Sequence, residues 1–277
     1  MKLNNNTGVA LFVYNRPSHF RRVLIALENY KIEELNVFLD GPKNNKDKIL
    51  QKEIKLTLKK NKYNKSIDFK VNYSNKNKGL AKSITQGLDK LSKKYENILI
   101  LEDDCVPRKE LFYFINKKIK LLRSKNYAAI CGYQLPEIHK KSKKKIDTLI
   151  LKYFISWGWC IKSSYWREYR KKYKILEKKK IKDILIKKIS KLVLNKNNVW
   201  TIDFIKFNDL KKRKYIFPSM SLIKNIGFDG SGVNSKVTDK LNSIYTYSKK
   251  ISNENIFNSF YVNLQKKILK DRIKYFF

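Results

Sequence analysis

The sequence predicts an α/β fold, with a mostly parallel central sheet and helices on both faces. Three observations carry this. Near-continuous apolar runs such as Gly8–Tyr14 (GVALFVY) read as strands buried on both faces. Between them, apolar residues recur at helical spacing, as in Phe20, Val23, Leu24 and Leu27. The two patterns alternate through the first half of the chain, and such alternation builds a parallel sheet with crossover helices.

Taken in order, Gly8–Tyr14 is the first strand, and Pro17 suits the first turn of the helix after it. Leu35–Leu39 is the second strand, ended by the turn Asp40-Gly41-Pro42. Ile49–Lys60 is a lysine-rich helix with Ile54 and Leu58 inward. Ile67–Tyr73 is strand three, Leu80–Leu91 a helix, and Ile98–Leu101 strand four. Pro107 is expected to start a helix carrying Leu111, Phe114, Ile115, Ile119 and Leu122, and Tyr127–Gly132 is a short strand. The second half is less regular. A basic amphipathic helix is expected over Leu176–Leu194 and a helix over Trp200–Leu210, then a strand and glycine-rich turn within Phe217–Gly232. Residues 1–232 are read as one domain. Residues 233–277 are read as a basic extension whose end, Phe257–Phe277, is either a docked helix or a membrane-facing one.

Composition narrows the classes. With 277 residues and 42% hydrophobic content, the chain can bury a large core. Three cysteines without CxxC spacing fit a reducing, cytosolic setting. Val9–Tyr14 is too short for a signal peptide's apolar region, and no run reaches the length of a membrane span. The net charge of +39 invites a nucleic-acid partner. Yet only nine of the 63 basic residues are arginine, and the lysines spread along the whole chain beside abundant Asn, Ile and Tyr. Biased base composition, together with attraction to anionic lipid at the inner face of a membrane, accounts for this better than base readout.

Residues 98–107, ILILEDDCVP, carry the most information. A buried strand ends directly in Glu102, Asp103 and Asp104, three carboxylates that repel unless a cation or polar network offsets them. Hard oxygen donors suit Mg²⁺ or Mn²⁺. A solvated acidic turn is the plain alternative. In open α/β sheets ligands bind at the carboxyl ends of the strands. Asn15-Arg16, Asp40 and the acidic triplet all fall at that edge, which favours a site.

Together the ordered segments VALFVYNRPSHFRR, VFLDGPK, NKGLAKSITQGL, ILILEDDCVP, SWGWCIKSSYW, VWTIDFIKF and GFDGSG resemble GT-A-fold glycosyltransferases. They are most similar to the N-acetylglucosaminyltransferase I type and bacterial family 2-like sugar transferases. The likeness spans about residues 8–232. It implies that Glu102, Asp103 and Asp104 stand for the family's DXD-like motif, with Asp104 as ligand of a Mn²⁺ or Mg²⁺ ion and the preceding acids on the donor's ribose and sugar. It implies that Arg16 and Asp40 contact a nucleotide, with a UDP-sugar the first choice, and that Lys78 and Gly79 pass close to the donor. Trp157, Gly158 and Trp159 match a sugar-lining loop, and Asp203 falls where the family places the general base of inverting transfer. The chain departs from the family in holding only His19 and His139, so any role for a late histidine is unfilled.

The expectation is therefore a metal-dependent, inverting hexosyl- or N-acetylhexosaminyltransferase. It would act on a saccharide or lipid-linked saccharide in bacterial surface polysaccharide or lipooligosaccharide synthesis, in the cytoplasm or peripherally at the membrane. The rival enzyme is a nucleotidyltransferase, which ordinarily has a glycine-rich loop after strand one where this chain has NRPSHFRR. The rival of another class is a non-enzymatic polyanion or nucleic-acid binder.

Overall fold

Val9 through Val13 are all buried, so β1 (Thr7–Val13) has no solvent face and must lie inside a sheet. In the computed structural model β2 (Glu34–Leu39), β3 (Asp68–Tyr73) and β4 (Asn97–Glu102) join it in the order β4-β1-β2-β3, all parallel. The structure describes residues 2–4, 6–62, 67–140, 146–176, 183, 185–186, 200–231, 237–238, 241 and 251–271.

The connecting helices are α1 (Pro17–Glu28), α2 (Asn45–Lys62) and α3 (Leu80–Leu91). The crossovers through α1 and α2 step the chain one way along the sheet, and the crossover through α3 steps it back. Right-handed connections therefore put α1 and α2 on one face and α3 on the other. The packing agrees, since α1 contacts α2, while α3 contacts α6 (Ser163–Leu176), which contacts α7 (Trp200–Leu210). The first half thus follows the predicted order, with α2 starting four residues earlier than its apolar pattern suggested.

Two differences have physical causes. Pro107 does not open a helix. Cys105–Pro107 forms β5, paired antiparallel with β10 (Ile223–Asn225), and α4 begins at Glu110 and runs to Lys118. Proline tolerates the end of a two-stranded ribbon as well as a helix start. The second difference is β8 (Trp159–Lys162), a four-residue strand hidden in an aromatic segment too short to show a period. It inserts antiparallel between β4 and β6 (Tyr127–Cys131). Beyond β6 lie β9 (Lys214–Pro218), β7 (Ile146–Leu151) and β11 (Ile251–Ile256). Among the described residues the sheet has nine strands in the order β11-β7-β9-β6-β8-β4-β1-β2-β3. Three of its pairings, β4–β8, β6–β8 and β7–β9, are antiparallel, and the rest are parallel.

The stretch after residue 232 contributes β11 and α8 (Ser259–Asp271). Helix α8 is docked rather than free: Ile268 and Leu269 are buried, and the Gln265 side chain exchanges hydrogen bonds with the Tyr153 backbone. The helix expected over Leu176–Leu194 falls largely outside the described residues. A short helix, α5 (Pro136–Lys140), precedes β7. No helix among the described residues is long and apolar enough to cross a membrane.

On the α3 side, an aromatic core joins sheet to helices. Trp159 stacks on Trp200 at 5.4 Å, and Phe154 meets Trp159 edge-on at 5.0 Å and Phe204 at 5.1 Å. Trp166 donates to Asp89 at 2.8 Å, tying α6 to α3. Nearby, Phe12 and Phe38 stack at 4.9 Å beneath Gly87 of α3. A Cβ at Gly87 would stand 2.7 Å from the Phe12 ring, so only glycine lets α3 settle onto β1. Gly87→Val should therefore cost about 2 kcal/mol through overpacking. A lower urea midpoint at constant m would show it, and an unchanged midpoint would contradict this packing.

Candidate functional site

The chain leaves β1 for β2 on one side and leaves β4 for β5 and β6 on the other. The sheet therefore has a topological switch point between β1 and β4, where ligands of open α/β sheets bind. The parallel register sets Phe12 beside both Phe38 and Glu102. The loop after β1, Asp40 after β2 and the triplet after β4 consequently emerge at one edge.

At the switch point Arg16 reaches across from the β1 loop. One guanidinium nitrogen donates to Asp103 and, at 2.9 Å, to Asp104 Oδ2. The Tyr14 backbone N–H donates to Asp103 Oδ2 at 3.0 Å. Asp103, its side chain only 4% exposed, is thus fully engaged inside the protein. Burial works against the Arg16 charge, but Asp103 and Asp104 outweigh it and raise the guanidinium pKa. The Glu102 carboxyl has no hydrogen-bond or ion-pair partner among the described residues. Burial, then the charges of Asp104 and Asp103, push its carboxyl up to about 8, with Arg16 opposing. One guanidinium facing three carboxyls leaves an excess of negative charge.

A second loop closes over the triplet. Strand β10 pairs with β5, the Ile226 N–H donates to the Asp104 carbonyl at 2.9 Å, and the Asn225 side chain accepts from the Gly227 N–H at 2.8 Å. A Cβ at Gly227 would lie 2.3 Å from Asp104 Oδ2 and 3.1 Å from Arg16, so the loop touches this carboxylate only because the residue is glycine. His19 tethers the loop to α1, with Nε2 3.1 Å from the Ile226 carbonyl and 3.2 Å from Asp229 Oδ2. Within GFDGSG, Gly230 has φ +87°, as a turn glycine should, and Gly232 lies outside the described residues.

The remaining expected residues take distinct places. Asp40 is at the edge but turned to its own surroundings. Its carboxylate accepts from the N–H groups of Gly41 (2.8 Å), Lys78 (2.9 Å) and Gly79 (2.9 Å). It clamps the turn before α3. Lys78 lines a cavity of about 260 Å³ between the ends of β2 and β3 and one side of α3, from Ser83 to Lys90. The acidic triplet is not part of that cavity's wall.

Trp157 is half-buried, between Tyr133 (4.6 Å) and Phe228 of the glycine loop (5.3 Å). Gly158, at φ +64°, packs against Ile223. Trp159 is a correction to the expected sugar-lining loop. It is 1% exposed, because its position on β8 points it into the aromatic core.

Asp203 lies in the first turn of α7, 35% exposed and 4.0 Å from Lys206. Helix α7 leads into β9, which runs parallel to β6, so the helix starts at the carboxyl edge of the parallel strands. Trp200, at that start, stacks on Trp159, whose partner in β4 is Ile100, two residues before Glu102. The start of α7 and the triplet therefore lie toward the same edge of the sheet, while the Asp203 carboxylate itself neighbours Lys206 and Tyr169 of α6.

Sequence reasoning missed two supports. Asp47 accepts from the Tyr14 hydroxyl at 2.5 Å, the Asn15 amide at 2.7 Å and the Lys43 N–H at 2.9 Å. Burial alone would raise its pKa, but these bonds lower it. The other is His19. A histidine within the buried stripe of α1 was the available signal, read only as one of two histidines.

Among the described residues no three His, Cys, Asp or Glu side chains form a metal cluster. The residues still suit a hard cation of another kind. Asp103 is held by Arg16 and the Tyr14 amide, whereas Asp104 accepts from Arg16 at 2.9 Å and from the Cys105 thiol at 3.3 Å and keeps acceptor capacity on both oxygens. Mg²⁺-type sites commonly use one or two carboxylates completed by phosphate oxygens.

The Glu102 shift predicts a pH effect in chelator-treated protein. A carboxyl raised in the folded state adds stability that is fully present below its ordinary 4.5 and is lost as pH rises toward about 8. Glu102→Gln removes this loss. Its stability relative to the parent should improve by at least about 1 kcal/mol between acid and slightly alkaline pH. A gap that stays constant with pH in urea titrations would contradict the buried-carboxyl environment.

No family model matches the chain, and no curated protein sequence matches it. Among solved structures, the chain is similar to a mannosyltransferase from Pyrobaculum calidifontis in complex with GDP-Man and Mn²⁺, with 11% identity, 73% of this chain and 68% of that chain covered, and a TM-score of 0.41. It is also similar to the 4-diphosphocytidyl-2C-methyl-D-erythritol synthase of Anaerococcus prevotii, with 11% identity, 96% and 97% covered, and a TM-score of 0.39. At such low scores neither likeness carries weight for function, which rests on the residues at the sheet edge.

Proposed function

We propose that the chain is a GT-A-type, metal-dependent glycosyltransferase, similar to the N-acetylglucosaminyltransferase I type. It moves a hexosyl or N-acetylhexosaminyl group from a nucleotide-diphosphate donor, UDP-sugar first, to a saccharide or lipid-linked saccharide acceptor. The observation that carries this reading is Asp104 at the switch point. Its carboxylate is set at the mouth of the β1–β4 crevice, beneath a glycine loop, beside an ion pair that already accounts for Asp103.

The roles follow from placement. Asp104 holds Mn²⁺ or Mg²⁺, which when bound offsets the charge of the diphosphate leaving group. Arg16 orients Asp104 through its 2.9 Å contact, and its charge favours a phosphate nearby. Asp103 and Asp40 act as positioning residues for the β1 loop and the Lys78–Gly79 turn. Trp157 offers the half-buried ring on which the C–H face of a sugar packs, and Gly158 gives that ring its approach. Asp203 takes the proton from the acceptor hydroxyl as that oxygen attacks the anomeric carbon; the bond to the nucleoside diphosphate breaks on the opposite face, the diphosphate leaves, and the centre is inverted. Bacterial surface polysaccharide or lipooligosaccharide synthesis is the setting this chemistry fits.

Two measurements test the reading. Thermal stabilisation by a panel of nucleotide sugars with Mn²⁺ should reveal a donor, and Asp104→Asn should abolish the metal-dependent part of it. Equal stabilisation of parent and variant, with or without chelator, would remove Asp104 as ligand. Release of pyrophosphate in place of a nucleoside diphosphate would favour the nucleotidyltransferase. With a donor in hand, Asp203→Asn should lower kcat by about 10²–10⁴ with little change in donor KM. An unchanged kcat would move the general base elsewhere.

A further inference from the structure

We propose that the outer faces of α1 and α2 form a docking surface for an anionic lipid bilayer. Helix α2 buries Asp47, Gln51, Ile54 and Leu58 along one side. Helical spacing places Ile49 and Leu56 on the opposite pole, where they are 66% and 49% exposed. Helix α1 buries Phe20, Val23, Leu24 and Leu27, and Ile25 stands outward at 60% exposure. The two helices pack side by side on one face of the sheet. Single exposed aliphatics are ordinary. Three at the outermost poles of adjoining helices are not explained by the fold, which gains nothing from them.

Their surroundings specify the partner. Arg22, Lys48, Lys52, Lys59 and Lys60 flank these poles and are exposed. The exposed acid within α2 is Glu53, which faces Arg21 at 3.9 Å. Around Ile25 the exposed Glu28 lies one turn on, but the tips of α2 are flanked mainly by lysines. Aliphatic tips in a predominantly basic surround match a bilayer, where the tips enter the acyl boundary and the cations meet anionic headgroups. A nucleic acid would use the charge and leave the aliphatics idle. Both helices begin at the sheet edge that carries the acidic triplet, so docking would hold that edge beside the bilayer. The surface itself does not depend on the transfer reading.

Co-sedimentation of the full chain with phosphatidylcholine vesicles, with and without phosphatidylglycerol, tests this. Binding should need phosphatidylglycerol and weaken with salt. Lys52→Glu with Lys59→Glu should lower the bound-to-free ratio at least tenfold, roughly the effect of two basic contacts. Ile25→Ser, Ile49→Ser and Leu56→Ser together should lower it about tenfold or more, with an unchanged circular dichroism spectrum. Lys93→Glu with Lys171→Glu makes the same charge change on the α3–α6 side and should leave binding within about twofold. An equal loss in this control, full binding by the aliphatic variant, or no binding to either vesicle would overturn the proposal. So would oligonucleotide binding that the three serine substitutions weaken as much as vesicle binding.

Discussion

Three carboxyls at the end of one buried strand, set against a single guanidinium, constrain everything around them. Glu102, Asp103 and Asp104 cannot sit together in a low-dielectric edge without compensation. Arg16 supplies part of it from the loop that follows the neighbouring strand, so β1 and β4 must end at the same level. The parallel register achieves that. The Tyr14 amide satisfies Asp103 further, while Glu102 is left to hold its proton. What remains is Asp104, half-compensated and at the mouth.

The loops that frame this residue are fixed by other buried carboxylates. Asp47 ties down Tyr14 and Asn15, hence the approach of Arg16. Asp40 gathers the amides of residues 41, 78 and 79. His19 fastens the glycine loop at Ile226 and Asp229. Each bond uses a group that could have been offered to a ligand to hold backbone instead. Such holding is what preorganisation requires, because a ligand at this edge would bind without first ordering three loops.

How much of this could be read in the sequence depends on whether the signal was local. The parallel half was legible because its strands are buried on both faces and its helices alternate with them. The triplet was legible because three acids directly after an apolar run are conspicuous. Asp40 was placed at the right edge, but its partners are amides about 38 residues on, and no local pattern announces such a clamp. Trp159 is expected to line the site because SWGWCIKSSYW resembles the family's sugar-lining loop. Its burial follows from β8, and β8 follows from pairing with β4 and β6, strands far away in sequence. Asp47 and His19 were missed for the same reason, since their meaning lies in contacts that only the fold creates.

The insertion of β8 also explains how the two halves of one sheet meet at a single edge. On the β1 side of β4 the strands are parallel, and their carboxyl ends deliver Arg16 and the triplet. On the other side β8 runs backward, so its beginning, not its end, lies at that edge. The turn that enters β8 therefore sets Trp157 and Gly158 next to the acids, and Ile223 of β10 packs on Gly158 while β10 pairs with β5. Helix α7, returning over the same half, starts toward that edge, where Trp200 meets Trp159. An antiparallel strand in a parallel frame thus brings Trp157 and the start of α7 to the carboxyl edge of the parallel strands. Had β8 run parallel to β4, Trp157 and Gly158 would have entered at the far edge of the sheet, away from Asp104.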